Sequence, residues 1–170
     1  MNFTTATPQD AQDLDRFVNS AYRGEYSKQG WTTEADLLGG QRTDSEKLIE
    51  MMGESDALIR LLRDAEQILG CVYLKHTEDS VYLGMLTVEP CLQGKGLGAK
   101  LLAEAERYAK EVGAKKIRMT VIEQRAELIA YYQRKGYSLT GHREPFPMND
   151  PRFGLPKTEL MFLEMAKAMV

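Results

Sequence analysis

Three glycines at alternate positions in the run Gln93-Gly94-Lys95-Gly96-Leu97-Gly98 carry the strongest chemical signal in this sequence. They stand between an apolar, strand-like segment and an amphipathic, helix-like one, so they end a strand and open a helix with little side chain in the way. Such a turn presents unpaired backbone N–H groups and the positive end of a helix dipole, worth about 0.3 to 1 kcal/mol for each well-placed anion. That is the chemistry of phosphate binding. Lys95 adds a mobile positive charge, and the run implies a cofactor that carries a pyrophosphate.

Spacing alone leaves several readings open. Gly94, Gly96 and Ala99 also satisfy the looser dinucleotide pattern G-x-G-x-x-(G/A), which would suit a nicotinamide dinucleotide oxidoreductase. That pattern wants an acidic residue about twenty positions on, at the end of the next strand. Glu123 ends that strand but lies too far along. No Gly-Lys-Ser/Thr closes the run, which excludes a Walker loop. A glycine-rich strand-to-helix turn without any ligand is the plain alternative.

The flanking elements are legible. Residues 81–88 are rich in branched and aromatic side chains and are followed by Pro90, which ends a strand. Leu97, Leu101, Leu102, Ala105, Tyr108, Ala109 and Val112 recur every three or four positions, one face of a helix, and Gly113 stops it. A strand over 3–6 precedes a helix start at Thr7-Pro8-Gln9-Asp10, with the helix running to about residue 23. Thr43 with Glu46 opens an amphipathic segment over 47–52, closed by Gly53. Strands over 57–63 and 67–75 pair through Asp64-Ala65-Glu66, and residues 77–80 turn into the strand before the glycines.

Beyond the long helix, the pattern predicts a strand over 116–122, a helix over 126–135 and closing strands over 137–142 and 159–165. The unit from 81 to 122 is expected to be a right-handed parallel crossover. Residues 144–156 read as a turn-rich loop rather than a domain boundary. With no repeat, linker or low-complexity stretch, residues 1–170 form one mixed α/β domain.

Composition narrows the function classes. A hydrophobic fraction of 43% and a charged fraction of 28% suit a chain that folds around a core. The formal net charge of −3 argues against sequence-independent nucleic-acid binding, which needs a clustered basic face, and is compatible with a cationic amine substrate. The N-terminus lacks a secretory pattern and no apolar run reaches membrane-spanning length, so no membrane partner and a cytoplasmic location are expected. Cys71, Cys91, His76 and His142 are too scattered to suggest a metal site.

The run Leu86-Thr87-Val88-Glu89-Pro90, the glycine loop, and Tyr132-Gln133-Arg134-Lys135-Gly136-Tyr137 after one helix and one strand resemble the GNAT superfamily of acyl-CoA N-acyltransferases, over residues 81–137. Gln93, Gly96 and Gly98 match the family's Q/R-x-x-G-x-G/A coenzyme A pyrophosphate loop, and Tyr132, Gly136 and Tyr137 match a second element. The resemblance implies a central mixed, mostly antiparallel sheet with a splayed parallel strand pair, flanked by helices. It implies acetyl-CoA as donor, held by the main chain of Leu86 and Val88 and by Gln93, Gly94, Lys95, Gly96, Leu97, Gly98 and Ala99. Tyr132 becomes the general acid that protonates the departing sulfur, although its spacing from Leu128 and Ile129 equally suits a core position.

This chain departs from the family pattern in two places. Arg125 stands where many members have an asparagine, and an arginine there would reach a phosphate instead. Tyr82 stands where some members have a glutamate base, which leaves Glu123 as a replacement. The family implies that the acceptor lies against residues 24–34, where Glu25, Tyr26 and Trp31 would suit an aliphatic amine. Alternatively Trp31 anchors that loop and its glutamates are solvated, while Arg42 would bind a substrate carboxylate. The implied protein is an N-acetyltransferase of a small-molecule amine or peptide, with homodimers common in the family. A non-catalytic acyl-CoA-binding module is the alternative from another class.

Overall fold

The computed structural model describes residues 1–147 and 154–170, so part of the turn-rich loop expected over 144–156 lies outside the described residues. In chain order the elements begin with β1 (Asn2–Thr5), a 3-10 turn (Pro8–Asp10), α1 (Ala11–Tyr22), α2 (Gly24–Ser27), β2 (Leu38–Gly39) and α3 (Ser45–Gly53). Then come β3 (Ala57–Asp64), β4 (Gln67–Thr77), β5 (Ser80–Val88), α4 (Leu97–Glu111), β6 (Lys116–Ile122) and α5 (Ala126–Arg134). The chain closes with β7 (Ser138–Pro145), β8 (Leu155–Pro156) and β9 (Met161–Ala168).

Local chemistry explains most boundaries. The Asp10 carboxylate accepts the Thr7 N–H at 2.9 Å and so organises the first turn. The cap of α3 is Asp44, one residue after the expected Thr43, because its carboxylate accepts the Lys47 N–H at 2.7 Å while Thr43 is buried. Tyr137, expected to begin a strand, is instead a core side chain, and β7 starts one residue later and runs to Pro145. The pair β2 and β8 and the one-turn α2 have too few residues to leave a periodic pattern.

Seven strands form one sheet in the order β1-β3-β4-β5-β6-β9-β7, antiparallel throughout except for β5 beside β6. This is the mixed, mostly antiparallel sheet with one parallel pair that the sequence implied. Alternate residues of each strand point to opposite faces, and each face has its own core. On one face Val72, Leu74 and Ile117 meet Leu101, Leu102 and Ala105 of α4 and Tyr132 of α5. On the other Ile59, Leu61 and Cys71 meet Leu14, Phe17 and Val18 of α1 and Leu48 of α3. Among the described residues no helix is long and apolar enough to cross a membrane.

The packing of α4 matters for function because its first turn carries the glycines. Leu101 is 0% exposed at that helix–sheet contact. Leu101→Ala is expected to lower unfolding stability by about 2 to 5 kcal/mol, read as a lower urea midpoint; an unchanged midpoint would mean that α4 is not anchored this way.

Candidate functional site

The parallel pair comes apart. Strands β5 and β6 are registered only from Ser80 with Lys116 to Tyr82 with Arg118, after which β6 stays with β9 and β5 stays with β4. The β4–β5 ladder slips between Cys71 and Tyr73, and opposite that slip Met85 takes the left-handed backbone value φ +52°. Such a bulge turns the strand and strengthens its twist. The Met85 carbonyl is satisfied by the Thr87 hydroxyl at 3.0 Å, so the irregularity is held from within.

A cavity of about 850 Å³ fills the resulting wedge, within the size range of small-ligand sites. Residues 82–88 of β5 line one wall and residues 118–122 of β6 the other. The inner edge of β5 is partly claimed by side chains. The Tyr22 hydroxyl donates to the Leu86 carbonyl at 2.7 Å, and the Gln93 amide donates to the Val88 carbonyl at 3.4 Å. Tyr22, unmarked by the sequence pattern, thereby ties α1 to the wedge.

The glycine turn opens onto the same cavity. Gly94 and Gly96 have φ +83° and +86°, a region that disfavours side chains, and nothing lies within 4 Å of where a Cβ would stand on either. Gly96 is the residue before α4, without a side-chain cap, so the first helical N–H groups keep their capacity to donate. At Gly98 a Cβ would stand 2.9 Å from the Tyr131 hydroxyl, so a side chain there would push the end of that tyrosine aside. Uncapped N–H donors around bare backbone fit a diphosphate group. Lys95 is exposed beside them, Leu97 is anchored in the core, and Ala99 lines the cavity.

Tyr132 also reaches the cavity from α5, although it is only 5% exposed. Its ring packs edge-on against Tyr137 at 6.0 Å. Burial, with a smaller contribution from Tyr22, pushes its phenol well above the ordinary tyrosine range, against a lowering influence of Arg125. The hydroxyl therefore keeps its proton at neutral pH. The residue thus belongs to the core, as its spacing from Leu128 and Ile129 suits, and also lines the cavity.

The residues expected on the acceptor side are placed differently from one another. Glu25 pairs with Lys28 at 3.2 Å and Tyr26 donates to Glu89, and neither is among the residues that line the cavity. Trp31 does line it, 45% exposed and packed at a tilt of 56° against Tyr131 with ring centroids 5.4 Å apart. Glu34, expected to be solvated, is buried between Arg23 and Arg125, with Arg125 Nη1 at 3.0 Å. Arg125 also donates to the Thr32 hydroxyl at 2.6 Å, so its guanidinium is engaged in this cluster while the residue lines the cavity. Glu123 is exposed, pairs with Arg143 at 2.8 Å and does not line the cavity. Among the described residues the cavity's other carboxylate is Glu144, half-exposed beside His142 at 3.2 Å.

Residues 18–147 match the family model described as "Acetyltransferase (GNAT) domain". A stretch of 79 residues is 29% identical to the Bacillus subtilis (strain 168) protein "Uncharacterized protein YxbD", covering 46% of this chain and 48% of the relative. The match thus spans about half the length of that curated relative. Among solved structures, smu.2055 from Streptococcus mutans UA159 superposes with a TM-score of 0.74 at 16% identity over 100% of both chains. The ribosomal-protein-S18-alanine N-acetyltransferase of Escherichia coli superposes with a TM-score of 0.71 at 15% identity over 99% of this chain and 93% of its own. A putative streptothricin acetyltransferase from Bacillus anthracis, solved in complex with acetyl coenzyme A, gives a TM-score of 0.59 at 18% identity over 71% and 67%.

Removing Glu34 would take away the carboxylate that two buried guanidinium groups share, at 6% and 8% side-chain exposure. Glu34→Ala is therefore expected to cost about 3 to 5 kcal/mol in urea unfolding. A loss below about 1 kcal/mol, the range of an exposed pair, would show that the cluster is solvated after all.

Proposed function

The chain belongs to the GNAT acetyltransferase family, and from that premise we propose that it transfers an acetyl group from acetyl-CoA to the primary amine of a small molecule or peptide, with Tyr132 as general acid. Supporting this is one cavity that joins the freed edge of β5, the bare glycine turn and the Tyr132 side chain. A dinucleotide oxidoreductase, compatible with the glycine spacing alone, does not accord with the family.

When bound, acetyl-CoA supplies a thioester carbon open to direct attack by an amine. The backbone N–H groups from Gly94 to Ala99 hold its diphosphate at the start of α4, where the helix dipole favours negative charge. Leu86 and Val88 take the pantetheine arm as a sheet edge takes an added strand. Because their carbonyls already accept from Tyr22 and Gln93, the N–H groups of this edge are the free partners for the arm and for the thioester oxygen. The Tyr132 phenol, kept protonated by burial, donates to the sulfur as it leaves.

Acetyl-CoA at about 100 times its dissociation constant should stabilise the protein by about 2.7 kcal/mol, seen as a raised melting temperature, whereas NAD should leave it unmoved. A shift with NAD alone would refute the cofactor assignment. Tyr132→Phe should lower thiol release by about 10² or more with acetyl-CoA affinity nearly unchanged, and equal turnover in the variant would remove the hydroxyl from the mechanism.

Since the Tyr132 pKa is raised, the protonated phenol persists through the alkaline range in which an ordinary tyrosine of about 10 begins to ionise. The rate of thiol release should accordingly climb to pH 9 as the amine loses its proton, with no descending limb. A fall in rate between pH 8 and 9 that is absent from Tyr132→Phe would contradict a raised pKa.

A further inference from the structure

Among the described residues, the guanidinium groups of Arg23, Arg42 and Arg125 and the Glu34 carboxylate gather around Tyr22 on the wall of the cavity. Arg23 and Arg125 share Glu34. The guanidinium of Arg42 lies 5.1 Å from the centre of the Tyr22 ring, and among the described residues no carboxylate pairs with it. Its backbone is fixed, because the N–H groups of Arg42 and Thr43 both donate to the Asn19 side-chain oxygen, at 2.6 and 3.1 Å. Asn19 returns a bond to the Thr43 carbonyl at 2.9 Å, which fastens this loop to α1. Arg42 is thus a half-buried, positioned cation that lines the cavity.

Its place relative to the chemistry is set by Tyr22. The same tyrosine whose ring carries Arg42 donates its hydroxyl to the Leu86 carbonyl inside the wedge, whereas the diphosphate turn lies at the start of α4. A second guanidinium, that of Arg118, lies 5.1 Å from the Tyr82 ring centre on the same cavity, with Glu164 no closer than 3.9 Å. An arginine stacked on an aromatic face keeps its N–H edge free for a bidentate anion. Partly dehydrated positive charge without a matching carboxylate is costly, and a ligand carboxylate relieves that cost.

We infer that the acceptor is an amine that also carries a carboxylate, an amino acid or a compound built like one, with Arg42 as the residue that binds the acid group. This rests on the transferase reading and specifies its acceptor. Glu144 presents the cavity's half-exposed carboxylate to the acceptor's ammonium. Polyamines, which offer cations and no anion, are poor partners for such a wall.

The experiment measures thiol release from acetyl-CoA with L-lysine beside cadaverine, L-ornithine beside putrescine, L-arginine beside agmatine, and each standard amino acid beside its carboxamide. The carboxylate member should be favoured by about tenfold or more in kcat/KM. Arg42→Met should erase that preference by raising KM for the acid alone, Arg42→Lys should restore part of it, and the melting shift with acetyl-CoA should stay. Equal rates within the pairs, release from the polyamines only, or an equal loss for both members in Arg42→Met would overturn the assignment.

Should no amine release thiol while acetyl-CoA still raises the melting temperature, transfer itself is refuted. The anion site is then decided by N-acetyl amino acids against their methyl esters, with CoA present. A shift given by the acids alone and lost in Arg42→Met upholds the site, and no shift in the wild-type protein ends it.

Discussion

A strand that leaves its parallel neighbour after three registered pairs has to find other uses for the polar groups along its edge. In this protein the departure of β5 from β6 is the constraint on which the remaining features depend. The bulge at Met85 turns β5 aside, and the hydroxyls of Thr87 and Tyr22 take up the carbonyls of Met85 and Leu86. Without the wedge, the glycines before α4 would cap a surface helix and Tyr132 would be an ordinary core ring. With it, both border one cavity of about 850 Å³.

The two halves of the sheet are nonetheless kept in fixed relation. The core on one face runs unbroken from Val72 and Leu74, through Leu101 of α4, to Ile117 and Met165 on the far side of the gap. On the cavity side, the Arg23–Glu34–Arg125 cluster joins the end of α1, the following loop and the start of α5. Buried ion pairs of this kind contribute little net stability, since desolvation offsets most of the attraction. Their value here is geometric, holding the loop of Trp31 and Thr32 against α5 at the cavity's rim.

Features set by local chemistry were legible before the fold. Gly94 and Gly96 stand where only glycine is comfortable, the apolar face of α4 repeats at helical spacing, and the strands from β3 to β6 show in their branched residues. Tyr132 stood out through the spacing of a family element, with its burial equally foreseeable from Leu128 and Ile129. What escaped depends on partners far away in the chain. Glu34 and Arg125 meet across 91 positions and Tyr22 and Leu86 across 64, and no local pattern encodes such meetings. Glu25 and Tyr26 sit in the single helical turn of α2, too short to show a period from which their direction could be read. The bulge at Met85 was equally hidden, since nothing in its own residue type marks a positive φ.

Trp31 is the chain's one tryptophan, and it stands at the rim of the cavity, half in water and half against Tyr131. Indole emission depends on solvent contact and on nearby quenchers. The molecule therefore carries an optical probe at its own doorway, with no second indole elsewhere to dilute the signal, and the filling and emptying of the wedge is open to direct observation by fluorescence without any label.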